Sequence, residues 1–323
     1  MTAPDESSPF HPGELAIQER VGVAERVAPL GRQFLRNHMP DQHREFFAQL
    51  PFLVLGTQDE SGQPWASIVC APSGFARSPD PQRLEIRARP LTGDPLDVTL
   101  RDGAPVGLLG IELHTRRRNR LNGVVRECTD EGFAIDVVQS FGNCPKYIQA
   151  RRASFDPALA AARRRPVVEA LATLDESALA LIAAADTLYL ASAFFEADGA
   201  VRGTRGIDVS HRGGKPGFVR VVDERTLLLP DFFGNNLFNT LGNLLLAPRA
   251  GLLFVDFVNG DLLYVAVTAE ILWEGPEVEA YRGALRAVRF TVERARRVRE
   301  VLPLTWGEAE RSPFLEQTGD WAG

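Results

Sequence analysis

The sequence predicts a mainly β (α+β) protein built from two like units, and three observations predict it. Ser67, Gly74, Phe75 and Leu84 recur 143 residues later as Ser210, Gly217, Phe218 and Leu227, and Gly107-Leu108-Leu109 returns one residue late as Gly251-Leu252-Leu253. The lead-in strands match as well, Phe52 to Thr57 against Thr187 to Ser192, with eight extra residues in the second copy. Short apolar runs broken by turn signals such as Asp59-Glu60-Ser61-Gly62 have the texture of small antiparallel barrels. At 323 residues the chain can bury two cores. One repeat of a β-rich unit implies two like domains packed as an intrachain pseudo-dimer, with a site at their seam.

Taken in order, residues 14–37 and 41–50 read as helices of an N-terminal arm (residues 1–50), with Asp41 as an N-cap and Pro40 and Pro51 as punctuation. Six strands follow at 52–57, 65–71, 83–89, 106–113, 121–128 and 132–139, a first barrel over 51–150. An Ala- and Leu-rich stretch at 156–185 predicts a helical linker within 151–185. The second barrel, 186–275, takes strands at 187–194, 206–211, 217–222, 226–230, 250–257 and 261–273, with a short helix from Asn235 to Leu246. The spacing over 277–301 predicts an Arg-rich amphipathic helix, followed by an irregular tail, in a C-terminal segment 276–323.

Composition excludes several classes. A net charge of −6 argues against a nucleic-acid binder. No apolar run reaches the roughly 18 residues of a membrane span, and the acidic, Ser/Pro-rich start from Met1 to Pro9 does not read as a secretory signal. Cys70, Cys128 and Cys144 form no C-x-x-C pair, which predicts no metal site and fits a reducing cytoplasm. Nucleotide-binding glycine motifs, a nucleophile elbow and H-E-x-x-H are all absent. His11 and Glu14 form a weak pair. Lysine occurs only at 146 and 215, inside the two most unusual segments of an Arg-rich chain.

Four segments can carry chemistry. Asp208 to Phe218 combines Ser210, Arg212, Gly213, Gly214 and Lys215, the donors and open backbone that hold a phosphate; its plainer reading is a polar hairpin turn. Asp231 to Asn243 places Asn235, Asn236, Asn239 and Thr240 at a helix start, where amides and the helix N-terminus can meet an anion and Phe232 or Phe233 can stack on a planar ring. Capping with a buried amide explains it equally well. The basic run Arg116 to Arg120 can be a solvated hairpin tip or can reach across to an anion on the other copy. Gln139 to Gln149 carries Cys144 ahead of Pro145 and Lys146, a setting that lowers a thiol pKa, although a capped loop accounts for it without chemistry.

These residues, with Pro248 to Phe254, Gly93-Asp94-Pro95-Leu96 and the Arg116–Gly123 and Gln139–Gln149 runs, resemble the pyridoxamine 5'-phosphate oxidase-like FMN-binding split-barrel family, nearest its flavin-nucleotide-binding branch, over roughly residues 11–275. The resemblance implies two tandem six-stranded split barrels binding FMN at the seam. Ser210, Arg212, Gly213, Lys215, Asn235, Asn236, Asn239 and Thr240 would hold the phosphate and ribityl chain, and Trp65, Ser67 and the Arg118–Asn122 segment would come from the facing barrel. Asn235-Asn236 stands where oxidase members carry a basic pair, and the substrate-binding Trp and Arg-x-His cluster is absent from 290–323, so pyridoxal phosphate synthesis is not expected. The expectation is an FMN-dependent oxidoreductase acting on a small substrate, with one good site per chain built mainly on copy two. An electron donor, reductase or ferredoxin, would act in trans, and further pairing into a homodimer is left open. Two other readings remain: a non-catalytic flavin-binding or sensing protein, and a haem-binding split barrel with His114 or His211 as axial ligand.

Overall fold

The computed structural model describes residues 8–162 and 166–321. The start of the chain, up to residue 7, and the linker positions 163–165 lie outside the described residues. Three helices, α1 (Pro12–Arg20), α2 (Ala24–Phe34) and α3 (Asp41–Gln49), precede the first sheet. Its strands are β1 (Phe52–Gln58), β2 (Pro64–Cys70), β3 (Ala76–Asp80), β4 (Arg83–Ile86), β5 (Pro105–Glu112), β6 (Arg117–Arg126) and β7 (Phe133–Gly142), with α4 (Leu96–Thr99) between β4 and β5. The connection contains β8 (Ala153–Phe155), α5 (Pro157–Ala161), β9 (Val168–Leu171) and α6 (Glu176–Ala184). The second sheet comprises β10 (Thr187–Phe194), β11 (Gly206–Gly213), β12 (Arg220–Val221), β13 (Thr226–Asp231), β14 (Arg249–Val255), β15 (Leu262–Leu272) and β16 (Arg286–Val298). Helix α7 (Asn239–Leu246) follows β13, α8 (Pro276–Glu279) precedes β16, and β17 (Leu304–Trp306) pairs with β8.

The strand orders are β2-β1-β5-β6-β7-β4-β3 and β11-β10-β14-β15-β16-β13-β12, one order used twice. Register repeats with it: Leu55 faces Ser67 and Leu108, as Leu190 faces Ser210 and Leu252. A bulge also recurs, at Asn122/Gly123 in the first sheet and Ala266/Val267 in the second. Both sheets are antiparallel and neither closes through hydrogen bonds. They hold seven and eight strands where the sequence predicts six in each barrel.

The difference has local causes. Strand β3 reads ARSPD, with no apolar alternation to betray it. The helix expected over 277–301 is instead mostly β16, the strand that pairs with β13, β15 and β9. Val288, Phe290 and Val292 alternate inward, but the bulge inserts Glu293 before Ala295. Val288, Val292 and Ala295 thereby acquire the i, i+4, i+7 spacing of a helix while lying on a strand. The expected linker helix is likewise broken, into α5, α6 and β9, and β9 extends the second sheet.

The sheets meet back to back through one apolar cluster that includes Val54, Leu109 and Ile111 from the first and Tyr189, Leu253 and Tyr264 from the second. Two glycines set the approach. A β-carbon on Gly107 would sit 2.4 Å from the carbonyl oxygen of Ile207, and one on Gly251 would sit 2.3 Å from that of Pro64. Gly107 and Gly251 occupy equivalent places in the two copies, and so do Pro64 and Ile207, so the contact is reciprocal, as in an isologous dimer interface.

Candidate functional site

One cleft gathers all four segments singled out in the sequence. It is lined by Arg118 and Arg120 from β6, Asn143, Cys144, Lys146 and Tyr147 beyond β7, Ser210 to Gly213 from β11, Asp231 at the end of β13, Phe232 and Gly234 to Asn236 after it, Phe238 to Leu241 at the start of α7, and Arg286 from β16. Its space is about 110 Å³; Gly234 and Asn235 mark its exposed rim, and the exposed Phe233 adjoins them without lining it.

Strand alternation places Arg118, Arg120 and Asn122 on one face of β6. The buried Arg120 guanidinium donates to the Ser210 hydroxyl and, at 3.3 Å, to Asn239 Oδ1. Ser210 in turn shares a 2.8 Å hydrogen bond with Thr240. Thr240 sits in the first turn of α7, whose N-cap, Phe238, has φ 60° and offers no side-chain cap to the first N–H groups; Phe238 to Leu241 border the cleft. Arg118 donates to the carbonyls of Cys144 at 2.8 Å and His211 at 3.2 Å. Arg212 and Arg286 grip the two oxygens of Asp231, at 2.9 and 3.1 Å.

The electrostatics favour an anion. Five cationic side chains line the cleft, Arg118, Arg120, Lys146, Arg212 and Arg286, against one carboxylate, Asp231. Loss of water, then the charges of Arg120 and Arg212, pulls the Arg118 pKa down to about 9. Burial lowers those of Arg120 and Arg286 too, although Asp208 and Asp231 respectively oppose the fall. Arg120 Nε and Arg212 Nε are buried without a hydrogen-bond partner among the described residues. Both guanidinium groups are ion-paired, Arg120 with Asp208 at 3.6 Å and Arg212 with Asp231 at 2.9 Å, yet each keeps one buried N–H that an anion would complete.

Helix α1 backs the site. Glu14 accepts from Asn239 Nδ2 at 2.5 Å and from the His11 backbone N–H at 3.0 Å. Burial raises its pKa to about 8, so at neutral pH it is largely protonated, and the counter-charge of Arg120 is Asp208, 3.6 Å away. Asp208 is held at the base by Asn122 at 2.7 Å and Asn243 at 3.0 Å.

Of the residues expected to bind a ligand, Arg118, Ser210, Arg212, Gly213, Asn235, Asn236, Asn239 and Thr240 line the cleft, and Asn122 supports it from beneath. Lys215 does not line it: its ammonium lies 3.3 Å from both the Thr318 carbonyl and Asp320. Trp65 and Ser67 sit elsewhere, bonded to Asp59 at 3.0 Å and Asp94 at 2.5 Å. Sequence reasoning passed over Arg286, because it lies where a helix was expected; its pairing with Asp231 across β13 and β16 is visible only once that segment is a strand. The helical arm was recognised, but nothing in its spacing signalled that Glu14 reaches the site. Among the described residues no group of three or more His, Cys, Asp or Glu could hold a metal, and no helix is long and apolar enough to cross a membrane.

Comparison with known proteins is sparse. No family model and no curated protein matches the chain. Similar solved structures include a provisionally named pyridoxamine 5'-phosphate oxidase from Lactobacillus delbrueckii (17% identity, 38% of this chain and 93% of that one, TM-score 0.30). HupZ of Group A Streptococcus is similar at 18% identity over 38% of this chain and 91% of its own, TM-score 0.30. The Bacillus subtilis inhibitor of motility MotI/DgrA shares 9% identity over 75% of this chain and 87% of its own, TM-score 0.20. Likeness at this level carries no argument about function, which must come from the cleft.

Proposed function

We propose that the two sheets are tandem split barrels and that the cleft binds FMN by its phosphate, making the chain an FMN-dependent oxidoreductase. The observation that carries this reading is the set of incompletely paired cationic donors, Arg120 and Arg212, converging with the Ser210 and Thr240 hydroxyls on the uncapped start of α7. This donor set suits a phosphate monoester dianion, which accepts charge-assisted hydrogen bonds from several directions. The cleft volume of about 110 Å³ is below the roughly 300–1,000 Å³ of a pocket enclosing a whole drug-sized ligand. It therefore suits the phosphate end, with the remainder of the cofactor toward the rim.

In this reading Arg120, Ser210, Thr240 and Asn239 hold the phosphate, Arg212 and Arg286 add charge, and Phe232 and Tyr147, whose ring centres are 5.0 Å apart, wall the cleft. Bound FMN would supply hydride or electron transfer. The chain's own part is to orient it and exclude water. His211 does not favour the haem reading: it borders the cleft, but its buried ring packs edge-on to Tyr189, 5.8 Å away.

The first experiment is the visible spectrum of the purified protein, with identification of any released chromophore, then titration with FMN and riboflavin. FMN should bind tighter than riboflavin. In Arg120→Gln its affinity should fall by about ten- to a hundredfold, the worth of a charged hydrogen bond of about 1.5–3 kcal/mol, while that of riboflavin stays put. Equal affinity for the two flavins would sink the phosphate assignment. Turnover of a nicotinamide donor by the loaded protein separates an enzyme from a flavin carrier.

A further inference from the structure

The phosphate reading accounts for the floor of the cleft and leaves its mouth unexplained. Lys146 lines the cleft and makes no ion pair among the described residues. Its ammonium lies 4.5 Å from the ring centre of Phe233 and 5.3 Å from that of Phe314. Contacts with ring faces leave ammonium donors free for an acceptor. Phe233 is 50% exposed, a large apolar ring standing half in water beside an uncompensated cation. Tyr147 fixes the rim, donating its hydroxyl to the Phe233 carbonyl at 3.1 Å and packing on Phe314.

The rim backbone is strained in the same place. Six described non-glycine residues adopt positive φ, and three of them, Tyr147 (63°), Asn236 (60°) and Phe238 (60°), border this cleft. Such conformations are costly and concentrate where a ligand is held. Here they are locked by local bonds, including Asn235 Oδ1 accepting from the Leu237 N–H at 3.1 Å. The tail after β17 contributes Phe314 to the same rim. The loops after β7 and β13 and the tail thus build one aromatic-cationic mouth.

We infer that this mouth is a second subsite, for a planar organic anion that lays its ring on Phe233 and its charged group on Lys146. Such an anion, an aromatic or conjugated carboxylate, is then the substrate class presented to the cofactor; that role rests on the FMN reading, whereas the subsite itself does not.

Benzoate is the probe, with benzamide as its uncharged analogue. Added to FMN-loaded protein, benzoate should shift the flavin spectrum saturably and benzamide should not. Lys146→Met should weaken benzoate at least about tenfold, and Phe233→Ala should weaken it less while leaving FMN affinity within about twofold. No benzoate response with FMN bound would overturn the inference. So would displacement of FMN by benzoate, which would assign the mouth to the flavin ring, or equal binding of benzamide. If the protein takes up no FMN, the cofactor reading falls separately. Calorimetry with benzoate alone then decides the subsite, a heat lost in Lys146→Met supporting it and no heat rejecting it.

Discussion

The cleft around Ser210 and the place around Ser67 occupy equivalent positions in the two copies, and they could hardly differ more. Arg118, Arg120 and Asn122 on β6 have as counterparts Leu262, Tyr264 and Ala266 on β15, by the register each strand keeps with its neighbour. Ser210 meets Arg120 across the seam and Thr240 beside it. At the other end Ser67 meets Asp94 at 2.5 Å, and Tyr264 donates to the same carboxylate at 2.7 Å. A buried Asp94 thus fills the space that a ligand anion is proposed to fill in the Ser210 cleft. The lesson is that a duplicated fold supplies two seams, and that three side chains on one strand decide which stays open. Positive charge keeps one receptive; a built-in carboxylate and an apolar face close the other.

The comparison can be broken most severely at what the two seams share. Gly107→Val and Gly251→Val should each push a side chain into the opposing backbone, at 2.4 and 2.3 Å, costing about 1–3 kcal/mol or more. Thermal melts should show similar large losses for both; a benign substitution at either position would contradict the reciprocal packing. Next in size is the pair Arg120→Gln and Tyr264→Phe. The first should cut FMN affinity by about ten- to a hundredfold and the second should leave it unchanged, as read by flavin titration. An equal effect of both would mean that the seams are not functionally distinct.

Another contrast concerns two buried acids. Burial raises Asp94 to about 6, against hydrogen bonds from Ser67 and Tyr264 that lower it, and raises Glu14 to about 8. Both folded pKa values exceed the unfolded ones, so each group favours folding most when protonated. For Asp94 that contribution is lost as pH rises from about 3.8 through about 6, and for Glu14 from about 4.5 through about 8. Glu14→Gln should flatten the stability profile between pH 5 and 8, an effect on the order of 3–4 kcal/mol, and Asp94→Asn should flatten it only at lower pH. Melts across pH that show an unchanged slope in both variants would reject the assignment. The smallest expected effect is that of Lys215→Ala, which should leave FMN affinity within about twofold, because that ammonium faces Asp320 and the Thr318 carbonyl.

Much of this was legible in the sequence, and for identifiable reasons. The 143-residue recurrence of Ser67 and Ser210 reflects positions that share a register. The glycine of each Gly-Leu-Leu run stands where two backbones nearly touch. The segments rich in Arg, Asn and Gly do converge on one cleft. What was hidden follows from what periodicity cannot see. The bulge at Glu293 gave a strand the spacing of a helix and concealed Arg286. Lys215, rare and flanked by glycines, looks like a phosphate ligand, yet its neighbours in the chain turn it toward the tail. Copy one's Ser67 was expected to face a ligand, because nothing in Gly93-Asp94-Pro95 announces that the aspartate swings back onto that serine.

The reciprocal glycine contact also predicts how the two halves should tolerate change. Each half is a wall of the other's packing, so neither is dispensable, and both supply the Ser210 cleft, but only that end of the seam carries the ligand groups. In a saturation screen that scores binding and abundance separately, positions 118, 120 and 210 should register in the binding channel alone. Their partners 262, 264 and 67 should register in the abundance channel. The molecule would then display two maps of sensitivity, related by the repeat and differing in kind, one end of the seam retained for what it holds and the other for what it holds up.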